Sequence, residues 1–198
     1  MFVTFEGLDG SGKSTQVDLL AGWLRGQGRT VLATREPGGT PVGEAVRELV
    51  LHGDELAPWT EAALFAAARA EHVERAIRPA LERGEDVISD RYLDSSVAYQ
   101  GIARGLGEER VLDLNLAVTR GLLPDRTFFV LVDPAEARSR GGEYRDRIER
   151  ETDAFMQRAD EAFRALASHN PERIVTLAGD RSPDQIAEEV REHVRTLL

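Results

Sequence analysis

The sequence predicts an α/β fold in which a doubly wound, five-stranded parallel sheet carries helices on both faces. Two features predict it. Five short β-branched or apolar runs alternate with longer stretches of helical spacing. A glycine-rich loop stands directly between the first run and the first helical stretch. The 198 residues and 41% hydrophobic content suffice for one buried core, so a single domain over residues 1–198 is expected.

In chain order, the expected strands are residues 2–5, 30–34, 86–89, 127–132 and 173–177, each short enough to be buried in a parallel sheet. Leu19, Leu20, Trp23 and Leu24 are spaced to share one face of the first helix. Residues 61–83 read as helix over most of their length, with Pro79 expected to kink or end a turn. Val111, Leu112, Leu114, Leu116 and Val118 mark a strongly apolar helical stretch. Ser182 and Pro183 supply an N-cap and first-turn proline for a closing helix from about residue 185. The Gly- and Arg-rich residues 138–150 read as a mobile insertion on one domain.

Composition excludes several classes of function. A formal net charge of -10 argues against a general nucleic-acid binder, so anionic ligands must be held by local groups. With no cysteine there is neither a disulfide framework nor a thiolate metal site. The longest apolar runs fall far short of the roughly 20 residues of a membrane span, and Met1 leads straight into the first strand with no signal peptide before it. A cytoplasmic protein without membrane or nucleic-acid partners is expected.

Of the 25 Lys and Arg residues, Lys13 is the one lysine and the other 24 are arginine. A bias toward arginine explains the 24 and not the exception: at position 13 a compact ammonium does what a planar guanidinium cannot. Lys13 lies in Gly7-Leu8-Asp9-Gly10-Ser11-Gly12-Lys13-Ser14-Thr15, which matches the G-x-x-x-x-G-K-[ST] phosphate loop. Glycines there let successive backbone N–H groups face one concavity, and the following helix N-terminus adds positive potential. Lys13 is placed to bridge the β- and γ-phosphates, and Ser14 to offer its hydroxyl to Mg²⁺. A guanine-reading N-K-x-D motif needs a second lysine, so a conventional GTPase is disfavoured and a small-molecule kinase leads.

Further motifs follow in order: Thr34-Arg35-Glu36-Pro37-Gly38-Gly39-Thr40, Phe65-Ala66-Ala67-Ala68-Arg69, and Asp90-Arg91-Tyr92 with Ser95, Ser96 and Ala98-Tyr99-Gln100-Gly101. An arginine-rich stretch ends in Asp146-Arg147-Ile148-Glu149. Through these motifs the chain resembles the thymidylate kinase family over essentially its whole length. The resemblance implies a three-layer P-loop kinase fold with an arginine-rich lid at about residues 136–150. It also implies phosphorylation of dTMP to dTDP with MgATP as donor, and a homodimer joined through apolar helices.

By resemblance, Arg35 is one jaw of a clamp on the monophosphate, Phe65 stacks on thymine and Arg69 donates to a base carbonyl. Asp90 holds Mg²⁺ through water, and Arg91 contacts the dTMP phosphate and the transferred group. Tyr99 sits beside the deoxyribose, Ser96 hydrogen-bonds near the base, Gln100 belongs to the same substrate site, and Asp9 reaches the sugar 3′-hydroxyl. Family members with glycine at the position of Gly10 take catalytic arginines from the lid, which nominates Arg140, then Arg138 and Arg147; Arg145 and Arg150 share the cluster. Each residue also has a plainer account: a turn arginine, a core phenylalanine with a snorkelling arginine, a surface ion pair, a solvated charge run. Another nucleotide or deoxynucleoside kinase, or a non-catalytic ATP-dependent switch, remains the alternative.

Overall fold

A computed structural model describes residues 1–140 and 146–198. The five expected strands form with their ends moved by at most a residue or two: β1 (Phe2–Glu6), β2 (Val31–Arg35), β3 (Asp86–Asp90), β4 (Arg126–Leu131) and β5 (Ile174–Ala178). They make one parallel sheet in the order β2-β3-β1-β4-β5, with Phe2 opposite Val87 and Thr4 opposite Thr127.

Alternation along each strand divides the core in two. Val3, Phe5, Ile88, Phe128 and Val130 face one side, where Val17, Leu20, Ala21 and Leu24 of α1 (Lys13–Gly26) and Ile186, Val190 and Val194 of α9 (Pro183–Arg195) cover them. Phe2, Val87 and Phe129 face the other side, under α3 (Pro58–His72), α5 (Leu93–Ser96) and α8 (Asp153–His169). The helix pattern read for α1 shifts accordingly: Val17 and Ala21 are buried with Leu20 and Leu24, whereas Leu19 and Trp23 are half-exposed. Trp23 instead lies beneath the Arg195 guanidinium of α9.

Pro79 ends nothing. Its ring would strike the carbonyl four residues earlier and it has no N–H to donate, and the helix meets this by widening into one π-helical turn, Val73–Ile77, before continuing as α4 (Arg78–Glu82). Ser182 caps α9 in a reciprocal box with Gln185, and Pro183 fills the first turn. The apolar stretch forms α6 (Glu108–Thr119), where Val111, Asn115 and Thr119 are buried and Leu112, Leu114, Leu116 and Val118 are half-exposed. α2 (Pro41–Arg47) follows β2, and α7 (Pro134–Arg140) follows β4. No described helix is long and apolar enough to cross a membrane.

Candidate active site

The strand order reverses direction at β1, and ligands of such sheets bind off the carboxyl ends beside the reversal. There β1 passes from Glu6 into the glycine loop, β2 ends in Arg35, and β3 ends in Asp90 followed by Arg91. Gly7 has φ 136°, and a Cβ there would come within 2.7 Å of the Val130 carbonyl. Gly10 has φ 82°, and a Cβ there would collide with the Ala137 carbonyl at α7. Both positions therefore demand glycine.

Lys13 is buried and its Nζ donates to the Leu8 carbonyl at 2.8 Å, 3.7 Å from Asp9. Burial and then the Arg91 charge pull its pKa below the ordinary lysine range, against Asp9, Asp90 and Glu6. Ser14 Oγ donates to Asp90 Oδ2 at 2.5 Å, which puts a hydroxyl and a carboxylate side by side: hard oxygen donors of the kind Mg²⁺ takes. The two line one cavity of about 790 Å³ with Lys13, Arg35, Arg47 and Arg91.

Arg91 has φ 72°, a conformation uncommon outside glycine. It is held by several bonds. Its backbone N–H donates to Phe5 and its guanidinium to the Gly7 carbonyl at 2.9 Å, Ser95 Oγ at 2.9 Å and Asp9 at 2.6 Å, while it lies 5.4 Å over the Tyr99 ring. Burial pushes Asp9 up, but Arg91 and Lys13 more than offset it and hold the carboxyl at about 2. Glu6 holds the residues that follow Arg91. This buried carboxylate accepts from Tyr92 N at 2.8 Å, Ser95 N at 3.3 Å and Ser95 Oγ at 2.5 Å.

Burial, then the neighbouring Asp94 charge, push the Glu6 pKa up to about 7. The folded value lies above the unfolded one, so the stability Glu6 contributes is full below about pH 4.5 and is lost as pH rises through 7. Relative to Glu6→Gln, the wild-type melting temperature is therefore expected to fall between pH 5 and 8. A constant difference across that window, measured by differential scanning calorimetry, would refute the assignment.

A second cavity of about 570 Å³ adjoins the first and shares Asp9, Glu36, Arg47 and Arg91 with it. Phe65, Arg69, Ser96, Tyr99 and Gln100 line it, together with Asp146 and Ile148. Arg69 is almost wholly buried. Its guanidinium donates to Glu36 at 2.7 Å, Ser96 Oγ at 2.9 Å, the Tyr92 carbonyl at 2.9 Å and Asn115 Oδ1. Glu36 also accepts from His72 Nδ1 at 2.9 Å. The Tyr99 ring packs on Phe155 and Phe163, and its hydroxyl is buried without a partner among the described residues. Burial pushes that phenol's pKa up, so it stays protonated.

The other expected site residues differ in where their side chains are engaged. Arg35 is exposed, at the rim of the first cavity, and paired with Glu44 at 3.1 Å. Arg140 bonds Glu136 and the Gly179 carbonyl and borders Ser11, Gly12 and Thr15. Arg138 pairs with Asp153 at 2.6 Å and borders Leu8 and Asp9. Arg147 faces neither phosphate loop nor Lys13; it bonds Glu61 at 2.7 Å and the Val50 carbonyl at 2.9 Å. Of the expected lid, residues 141–145, with Arg145, lie outside the described residues. Sequence reasoning missed Arg47, Glu61, Asn115 and Asp146.

The thymidylate kinase family model matches residues 5–190 of the chain. The chain belongs to the thymidylate kinase family. It is 48% identical to a thymidylate kinase of Bifidobacterium longum subsp. infantis over 203 aligned residues, which cover 100% of this chain and 87% of the relative. It is 51% identical to one from Leifsonia xyli subsp. xyli, covering 96% and 92%. The solved structure of a thymidylate kinase from Ehrlichia chaffeensis superposes with a TM-score of 0.82 at 35% identity and covers 98% of each chain. The five-stranded parallel sheet flanked by helices is thus the thymidylate kinase architecture, and the chain is a kinase, a phosphotransferase.

Proposed function

We propose that this thymidylate kinase family member transfers the γ-phosphoryl group of MgATP to dTMP, giving dTDP for dTTP synthesis. One observation carries the reading: the Lys13–Arg91 phosphate cavity and the Phe65–Arg69 cavity adjoin and share Asp9, Arg47 and Arg91. An acceptor in the second cavity therefore presents its phosphate at the border, next to the donor's.

The nucleophile is a dTMP phosphate oxygen, already ionised at neutral pH, so no general base is needed. Lys13, Arg91 and Arg47 offset the repulsion between the two phosphates and stabilise the loose transition state. Ser14 and Asp90 fit Mg²⁺, which when bound supplies neutralisation of donor phosphate charge. Arg140 and Arg138 border the glycine loop, which supports their reading as lid arginines for the transferring group. Arg35 joins the phosphate clamp by exchanging Glu44 for the ligand. Phe65 offers a face to thymine and Ser96 a hydroxyl near the base; Asp9 reaches the 3′-hydroxyl, and the partnerless Tyr99 hydroxyl meets the deoxyribose. Half-exposed Leu112, Leu116 and Val118 on α6 support a homodimer.

ADP formation with MgATP is measured across dTMP, dUMP, AMP, dGMP and thymidine. A dTMP rate at least tenfold above the others is expected; preference for another acceptor, or only slow acceptor-independent hydrolysis, overturns the reading.

A further inference from the structure

Glu61 has no part in the reaction as read above, yet it is wholly buried at the start of α3 and gathers four donors. Gln100 Nε2 donates to it at 2.8 Å, Arg104 through Nε at 3.3 Å and through Nη2 at 3.1 Å, and Arg147 at 2.7 Å. Burial pushes the Glu61 pKa up, and the bonds from Arg104, Gln100 and Arg147 more than reverse it, so the carboxylate stays ionised. An ionised carboxylate only accepts. The Gln100 side chain must therefore turn its NH₂ toward Glu61 and its carbonyl oxygen away. That oxygen takes no hydrogen bond among the described residues, and Gln100 lines the second cavity.

Arg69 lines the same cavity. Of the five guanidinium N–H groups, four are spent on Glu36, Ser96, Asn115 and Tyr92, which leaves one to give. Between them the two lining residues thus keep one acceptor, Gln100 Oε1, and one donor, on Arg69, to offer the cavity.

We infer that Glu61 is a positioning residue for acceptor choice: by accepting from Gln100 it locks an acceptor-plus-donor edge that takes a pyrimidine with N3–H and a 4-carbonyl and rejects one with bare N3 and a 4-amino group. The inference rests on the second cavity being the dTMP site. A 4-amino pyrimidine sets lone pair against lone pair at N3 and donor against donor at C4, and a site built on buried polar groups rejects such a mismatch strongly. Without Glu61 the Gln100 amide turns freely, and the rejection weakens.

The test compares dTMP with 5-methyl-dCMP, which keeps the methyl group and differs only at N3 and C4. The ratio of kcat/KM for the two is measured with MgATP in wild type, Glu61→Gln, Gln100→Met and the double variant, with thermal melting to verify folding. Each single change is expected to lower the ratio about tenfold or more, the double variant no further than Gln100→Met, and KM for ATP not to move. A folded Glu61→Gln with the wild-type ratio, or a double variant whose losses add, overturns the inference. If Glu61→Gln does not fold, Gln100→Met decides: a tenfold loss supports the inference and an unchanged ratio overturns it. A wild-type enzyme with no preference for dTMP over 5-methyl-dCMP overturns the dTMP reading of the cavity as well; a wild-type preference that both variants keep overturns this inference alone.

Discussion

Arg91→Ala is expected to lower kcat by on the order of 10²-fold or more at saturating dTMP and MgATP, as loss of a preorganised transition-state donor does. Arg91 stands where the two cavities meet, and its guanidinium is aimed by three acceptors, Gly7 O, Ser95 Oγ and Asp9. Such a group is already oriented before substrate arrives, so its charge acts on the transition state without reorganisation. Removing it also frees Asp9, whose pKa rises once its main counter-charge is gone. Steady-state rates at saturation, with a melting curve to show the variant folded, make the check; turnover within threefold of wild type sinks the role. The φ of 72° at this position is held in part by the guanidinium's bonds, which alanine lacks, so some loss of melting temperature is expected beside the loss of rate.

Lys13→Arg is expected to be nearly as damaging despite keeping the charge. The ammonium is enclosed, its Nζ 2.8 Å from the Leu8 carbonyl inside the loop, and a planar guanidinium is both longer and broader than the point charge it replaces. The glycines that shape the loop have no slack: Gly7 backs onto Val130 and Gly10 onto Ala137. The loop must therefore open to admit the new group, and the charge moves off the phosphate bridge. We expect kcat to fall at least 10²-fold while the dissociation constant for dTMP, measured by calorimetry without ATP, changes less than threefold. More than a tenth of wild-type turnover, or an equal loss of dTMP affinity, contradicts the assignment.

Much of the site was legible because its signals are local. The phosphate loop needs glycines, one lysine and one hydroxyl at fixed spacing, and the strand before it and helix after it are set by short-range pattern. The single lysine among 24 arginines marked its own position. Asp90, Arg91 and Arg35 could be assigned to the site because strand ends in a parallel sheet share one edge. Arg47 could not: it sits in the last turn of α2, and only the return of that helix over Pro37 brings it to the two cavities.

Polar residues within apolar stretches were the systematic blind spot. Asn115 lies among leucines in α6, and the sequence reading noted the apolar residues of that stretch and passed over the polar one between them. The structure buries Asn115 because Arg69, wholly desolvated, has to be given acceptors from more than one element, and an unpaired buried guanidinium costs more than a half-exposed leucine. Glu61 was read only as the start of a helix for the same reason. Its partners Gln100, Arg104 and Arg147 are distant in sequence, and no local pattern pairs them.

By itself the sequence determined the strand and helix order, the phosphate loop and the class of chemistry, since these rest on backbone propensity, alternation and residue types at fixed short spacing. Only the tertiary structure decided which arginines line the cavity beside Lys13, which are spent on buried carboxylates, and which way the Gln100 amide points. Those outcomes follow from satisfying every buried charge at once, a condition on side chains from many elements that no stretch of sequence contains.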